Sequence, residues 1–304
     1  MAPEAVSGSS RGATHAELEL RKGDERTRTR VTLLIVRGYR MADCRPTPTE
    51  GPPQLSIDGS VATLRLRRPS RRNSLTDDDL RALLDAIAQV DADAVVRVLV
   101  LCADTQGQHT PVFSAGYDLG ALHGDGGGSQ LFERVPDALE AARPITVCAL
   151  SGSVFGGATD LVLACDLRIA LAASVLRMPA CALGLHFYPS GLRRYVSRLG
   201  VDLAKRAFLT AQPLPVELLA ERGLFERVVP RGDFDVALQG LVQQVATLSP
   251  LAAQATKRSL NEIAAGRFDE PGLRERERLT HSSAEFAESR AAFAARRTAR
   301  FEGR

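Results

Sequence analysis

The chain has 304 residues, 44% hydrophobic and 25% charged, enough to bury a substantial core in one or two domains. No apolar stretch approaches the roughly 20 residues needed to span a bilayer, which excludes a membrane-spanning helix. Its net charge of +3 lies in residues 1–40, with eight Lys/Arg against five Asp/Glu; residues 41–304 hold 31 of each sign. A nucleic-acid-binding body is therefore disfavoured. The five cysteines (Cys44, Cys102, Cys148, Cys165, Cys181) are odd in number and lack CxxC spacing. That pattern argues against a metal cluster or a disulfide framework and for reduced thiols in a cytoplasmic protein.

Residues 1–53 are Ser/Arg/Glu-rich and lack sustained periodicity. They end in Pro46-Thr47-Pro48-Thr49-Glu50-Gly51-Pro52-Pro53, and we expect a disordered N-terminal extension. The apolar segment Val31 to Val36 is too short for a signal-peptide core. Met41 is an alternative start just before the linker, which would leave 1–40 outside the natural product. From Leu55 to Leu66 the pattern is a hairpin turning at Asp58-Gly59. Ser74-Leu75-Thr76 caps a helix running to about Val90, with Leu80, Leu83, Leu84 and Ile87 on one face. Strand, turn and helix recur over 95–120 and 144–168, with a short strand near Leu167 to Ala170. This alternation predicts an α/β body of ββα-type units. After Pro250 the patterns are helical: Leu251 to Ala265, Glu270 to Leu279 and Ala284 to Arg297. The division is thus an extension over 1–53, a core over 54–249 and a helical region over 250–304.

Two glycine-bearing turns stand out. Phe113-Ser114-Ala115-Gly116-Tyr117-Asp118-Leu119 follows the apolar run Val96 to Leu101, and Gly156-Gly157-Ala158-Thr159-Asp160-Leu161 follows Ile145 to Leu150. Each is strand, tight turn, then helix, so each aims backbone N–H groups outward from a helix start. Two such points can hold one developing oxyanion, the basic need of acyl-thioester chemistry.

With Arg68-Pro69, Asn73-Ser74-Leu75, Ala164-Cys165-Asp166, Pro179 to Gly184, and Phe286-Ala287-Glu288 to Phe293, Arg296 and Phe301, the chain resembles the crotonase (enoyl-CoA hydratase/isomerase) superfamily over about residues 54–301. The resemblance implies a crotonase-like ββα spiral with a C-terminal helical trimerisation region. It implies a homotrimer or dimer of trimers, and an acyl-CoA thioester as ligand, with no metal and no cofactor beyond the coenzyme A of the substrate. It puts the oxyanion-hole N–H groups on Tyr117 and Gly157, and coenzyme A contacts at Ala115, Asp118, Arg71 and Arg72. Phe293 and Arg296 would reach a neighbouring subunit's adenine and phosphates, although an arginine-rich solvated face explains the C-terminal cations equally.

The resemblance fails at the catalytic positions. Family hydratases use two glutamates, one accepting a proton while the other donates. Here the first falls on Asp160, one methylene shorter, and the second on Ala180, which has no proton chemistry. Asp160 is either the proton-moving group or the cap of its own helix. In the loop Gly184 to Gly191, His186 and Tyr188 are acyl-pocket candidates, either as acid–base groups or as hydrogen-bonded loop residues. His123, after the first turn, is a pocket or solvated-loop histidine, and Cys181 is expected to be packed. The reading is an acyl-CoA-processing enzyme that stabilises a thioester enolate. The alternatives are a non-catalytic acyl-CoA-binding oligomer, or an isomerase or hydrolase rather than a hydratase.

Overall fold

The structure, a computed structural model, describes residues 16–17, 32–33, 44, 49–118, 120 and 127–303. Residues 1–39 form one unit, whose described part is the antiparallel pair β1 (Ala16–Glu17) and β2 (Thr32–Leu33); residues 40–304 form the other. The expectation of disorder over 1–53 falls mostly outside the described residues, but regular sheet already begins at Gly51.

The larger unit opens on the expected hairpin, β3 (Gly51–Asp58) and β4 (Val61–Arg67), with Gly59 at φ +60° in its turn. Pro52 and Pro53 cannot donate to a ladder, and β3 accordingly takes the edge with a register shift between Gly51 and Gln54. Beyond β4 lie β5 (Val98–Ala103), β7 (Ile145–Leu150), β9 (Leu167–Leu171) and β12 (Arg227–Val229), all in parallel. Central strands covered on both faces need continuous apolar sequence, and all six residues of β5 are buried.

A second, four-stranded sheet contains β6 (Val112–Ser114), β8 (Ser153–Phe155), β10 (Val175–Arg177) and β11 (Leu214–Pro215). The strand pairs β5/β6, β7/β8 and β9/β10 each place one strand in each sheet and are each followed by a helix. These helices are α2 (Gly127–Ala141), α3 (Ala158–Ala164) and α4 (Pro189–Thr210). This is the expected spiral of ββα turns. Helix α1 (Asp77–Ala92) starts at a Thr76 capping box, an arrangement worth about 1 kcal/mol. Helices α4, α5 (Val216–Glu221) and α6 (Arg231–Ala246) were not anticipated from sequence. The C-terminal region forms α7 (Pro250–Ala264), α8 (Glu270–His281) and α9 (Ala284–Ala294). Cys181 is exposed rather than packed. No helix among the described residues is long and apolar enough to cross a membrane.

One buried arginine holds the middle of the spiral. Arg168 on β9 donates to the carbonyls of Val162 (2.7 Å), Leu163 (3.1 Å) and Leu224 (3.2 Å) and also to Cys165, closing the C-terminal end of α3. Exchanging it for a hydrocarbon would strand several buried carbonyls at about 1–3 kcal/mol each. Arg168→Met should therefore lower unfolding stability by at least about 3 kcal/mol in urea denaturation; a loss below about 1 kcal/mol would contradict this account.

The end of the chain is tied down electrostatically. Glu288 on α9 binds Arg297 (2.6 and 2.8 Å) and the Arg300 amide (2.9 Å), which hold its pKa down at about 2. A carboxyl depressed on folding stabilises above the ordinary carboxylate range and loses that contribution as pH falls towards its folded value. Amide protection factors in residues 295–301, exchange rates corrected for the intrinsic pH dependence of the amides, should fall between about pH 4.5 and 2 in the wild type. In Glu288→Gln those protection factors should be low and constant over that range, and equal titration of the two proteins would count against the tie.

Candidate active site

The first glycine turn is stitched to the segment before α1. Arg72 and Asn73 both adopt the left-handed conformation (φ 51°), and the Asn73 side chain is buried. Its Oδ1 accepts from the Arg68 N–H (2.8 Å) and its Nδ2 donates to the Asp104 carbonyl (2.8 Å), while Ser114 Oγ donates to the Asn73 carbonyl (2.7 Å). Backbone bonds from Ala115 to Arg72 (2.8 Å), Leu75 to Gly116 (2.9 Å) and Asp118 to Leu75 (2.9 Å) complete the seam. The motif Asn73-Ser74-Leu75 thus has a physical role: it aims the turn at 115–118.

Parallel pairing of β6 with β8, in register at Ser114 and Val154, puts the two strand ends side by side, so the turns that leave them meet. Gly116 (φ +90°) lies so close to the second turn that an added Cβ would sit 2.7 Å from the Phe155 carbonyl and 3.3 Å from the Gly157 nitrogen. Only glycine fits there. Among the hydrogen bonds of the described residues, neither the Tyr117 nor the Gly157 N–H donates to a protein acceptor. The Tyr117 side chain is turned aside, its hydroxyl donating to Asp77 Oδ1 (2.7 Å). Burial, then Asp77, pushes its pKa up to about 12.

Asp160, in the first turn of α3, is fully buried with both oxygens occupied. Oδ1 accepts from Arg194 Nε (2.9 Å); Oδ2 accepts from Arg194 Nη2 (2.6 Å) and from the Tyr188 hydroxyl (2.7 Å). Arg194 also donates to Asp137 (2.6 Å), Glu140 (3.3 Å) and Ser190 Oγ (3.2 Å). Burial opposes the Arg194 charge, but Asp160, with Asp137 and Glu140, outweighs it and holds the guanidinium ionised. Burial also raises the Tyr188 pKa, with Asp160 adding to it, so that hydroxyl stays protonated.

Ala180 is buried at the start of a 3-10 turn over Ala180–Leu183, and His186 is exposed. His123 lies outside the described residues. Arg71 and Arg72 are exposed beside the first turn; Ala115 and Asp118 are partly buried within it. Phe293 is 88% exposed, and Arg296, also exposed, has φ +50° just past α9. No hydrogen bond, ion pair or ring contact among the described residues links either to the turns. No group of His, Cys, Asp or Glu that could hold a metal occurs among the described residues.

Sequence reasoning missed Arg194 and Phe132. A signal existed for the first: Gly191, Tyr195 and Leu199 are buried at helical spacing on α4, and Arg194 falls on that same face, where a cation demands a carboxylate.

The sequence pattern of the enoyl-CoA hydratase/isomerase family matches residues 56–304. The chain belongs to that family. It is 30% identical over 247 residues to the probable enoyl-CoA hydratase echA6 of Mycobacterium tuberculosis, covering 80% of this chain and 96% of that one. It is also 30% identical over 266 residues to the human mitochondrial enoyl-CoA hydratase domain-containing protein 2 (81% and 87%). A solved structure of a putative enoyl-CoA hydratase/isomerase family protein from Hyphomonas neptunium superposes with a TM-score of 0.76 at 25% identity, over 83% of this chain and 98% of that one.

A buried ion pair loses about 3–5 kcal/mol when one partner is removed, but is often replaced without loss by hydrocarbon of similar volume. Asp160→Ala should therefore cost about 3–5 kcal/mol in urea denaturation, whereas the double exchange Asp160→Leu with Arg194→Met should regain most of it. Additive losses in the double variant would refute the pair as the source of the effect.

Proposed function

We propose that the protein binds an acyl-coenzyme A thioester, its carbonyl oxygen between the Tyr117 and Gly157 N–H groups, and that it lacks the two-carboxylate hydration chemistry of its family. The observation that carries this reading is the bidentate capture of Asp160 by Arg194. An acid–base group contributes about 10²–10⁴ in rate, or roughly 3–5 kcal/mol. Freeing Asp160 from a buried arginine costs about the same. With Ala180 at the second position, neither inherited position offers a free carboxyl group for proton transfer, and what remains is the pair of backbone donors, each typically worth 10²–10³ on a developing oxyanion.

The reading is therefore a binding member of the family, using no metal or organic cofactor beyond the ligand's own coenzyme A. Arg71 and Arg72 suit the nucleotide end by position and charge. Exposed Phe286 and Phe293 on α9 and Leu279 on α8 suit assembly into trimers or dimers of trimers. A second reading, slow isomerisation or hydrolysis, draws on the 2.7 Å bond from Tyr188 to Asp160, which joins a pocket-loop hydroxyl to the inherited carboxylate.

The test measures binding and turnover separately on the full chain with enoyl-, saturated and hydroxyacyl-CoA thioesters. Calorimetry should show binding, lost in a folded Gly116→Ala protein, while crotonyl-CoA hydration stays at background. Ala180→Glu should not restore hydration, because Asp160 remains held. Fast hydration by the wild type that falls about 10²-fold in a folded Asp160→Asn protein would overturn the reading and restore Asp160 as a proton carrier.

A further inference from the structure

We infer that Phe132 limits the acyl length accepted beside the two turns and confines the protein to short-chain acyl thioesters. This deepens the acyl-CoA reading and rests on it. Phe132 lies on α2, and its ring covers one face of the second turn. A Cβ built on Gly157 would meet the ring Cζ at 2.8 Å, Cε1 at 2.9 Å and Cδ1 at 3.3 Å. The ring is 3% exposed, so it is a packed wall rather than a surface flap.

Two further rings, from two other segments, complete that wall. Tyr117 meets Phe132 edge-on, with centroids 6.1 Å apart and planes at 87°; Tyr188 meets it at 6.4 Å and 39°. Both neighbours are fixed at their far ends. The Tyr117 hydroxyl is bonded to Asp77 and the Tyr188 hydroxyl to Asp160, which Arg194 grips in turn. Phe187 stacks on Tyr188 at 4.1 Å and supports it from behind. Phe132 alone of the three has no polar anchor and touches both tyrosines and Gly157. A thioester carbonyl placed at the Tyr117 and Gly157 N–H groups would direct its acyl carbons against these rings. On this inference a short acyl chain ends at the aromatic wall, and a long one requires Phe132 to leave its packed position.

Each methylene newly buried is worth roughly a fourfold gain in affinity. Removing the ring should therefore favour long chains selectively. The experiment titrates full-length wild type, Phe132→Ala and Phe132→Leu with butyryl-, octanoyl- and lauroyl-CoA by calorimetry, after melting curves have shown each protein to be folded. The wild type should bind butyryl-CoA at least as tightly as lauroyl-CoA. The lauroyl-to-butyryl affinity ratio should rise about tenfold or more in Phe132→Ala and less, in the same direction, in Phe132→Leu. If the alanine variant does not fold, the leucine variant decides. A ratio unchanged by substitution, or a wild type that already prefers lauroyl-CoA, overturns the role of Phe132. Binding of no thioester at all overturns the acyl-CoA reading beneath it, a result distinct from an unchanged ratio.

Discussion

The rest of the site depends on one backbone contact, the approach of Gly116 to the Phe155 carbonyl and the Gly157 nitrogen. Parallel pairing of β6 and β8 brings the strand ends together, but only a residue without a Cβ and with φ +90° lets the two turns close. Among the hydrogen bonds of the described residues, the Tyr117 and Gly157 N–H groups on the two turns donate to no protein acceptor. The Tyr117 side chain is turned away, its hydroxyl donating to Asp77 and its ring packing edge-on against Phe132.

The side chains at 160 and 180 lie outside this backbone contact. With alanine at 180, an unpaired Asp160 in the core would be costly, since an isolated buried carboxylate either neutralises or finds a cation. Arg194 supplies that cation, and Asp137 and Glu140 supply the countercharge that keeps a fully buried arginine ionised. The network ties α2, α3 and α4 together. The buried carboxylate of Asp160 is thereby part of an ion-pair cluster.

Much of this was legible in the sequence, and the illegible parts share a cause. The β3/β4 hairpin, the α1 cap and the three C-terminal helices follow from local signals: Asp58-Gly59, Thr76 with Asp79 three residues on, and apolar periodicity after Pro250. The two turns were legible because glycine after a strand is a local backbone requirement. Arg194 and Phe132 were not, because their partners are distant along the chain. Arg194 meets Asp160 across 34 residues, and Phe132 meets Tyr188 across a still longer stretch of sequence. Helix α4 was obscured by Gly200, whose non-helical φ of 75° interrupts the pattern, and by its start at Pro189 inside an apparent loop. The exposure of Cys181 also ran against local reading: its neighbour Ala180 is buried, but the tight 3-10 turn presents successive residues to different sides.

The ion pair and the aromatic wall are one assembly. Arg194 holds Asp160, Asp160 holds the Tyr188 hydroxyl, and the Tyr188 ring packs between Phe187 and Phe132, which rests on Gly157. Displacing the Asp160 carboxylate would release the Tyr188 hydroxyl, and a released Tyr188 would loosen the ring packing beside the turn. The ion pair and the packing of the rings against Gly157 are therefore coupled through Tyr188. A substitution at Arg194 is thus transmitted through Asp160 and Tyr188 to the ring that rests on Gly157.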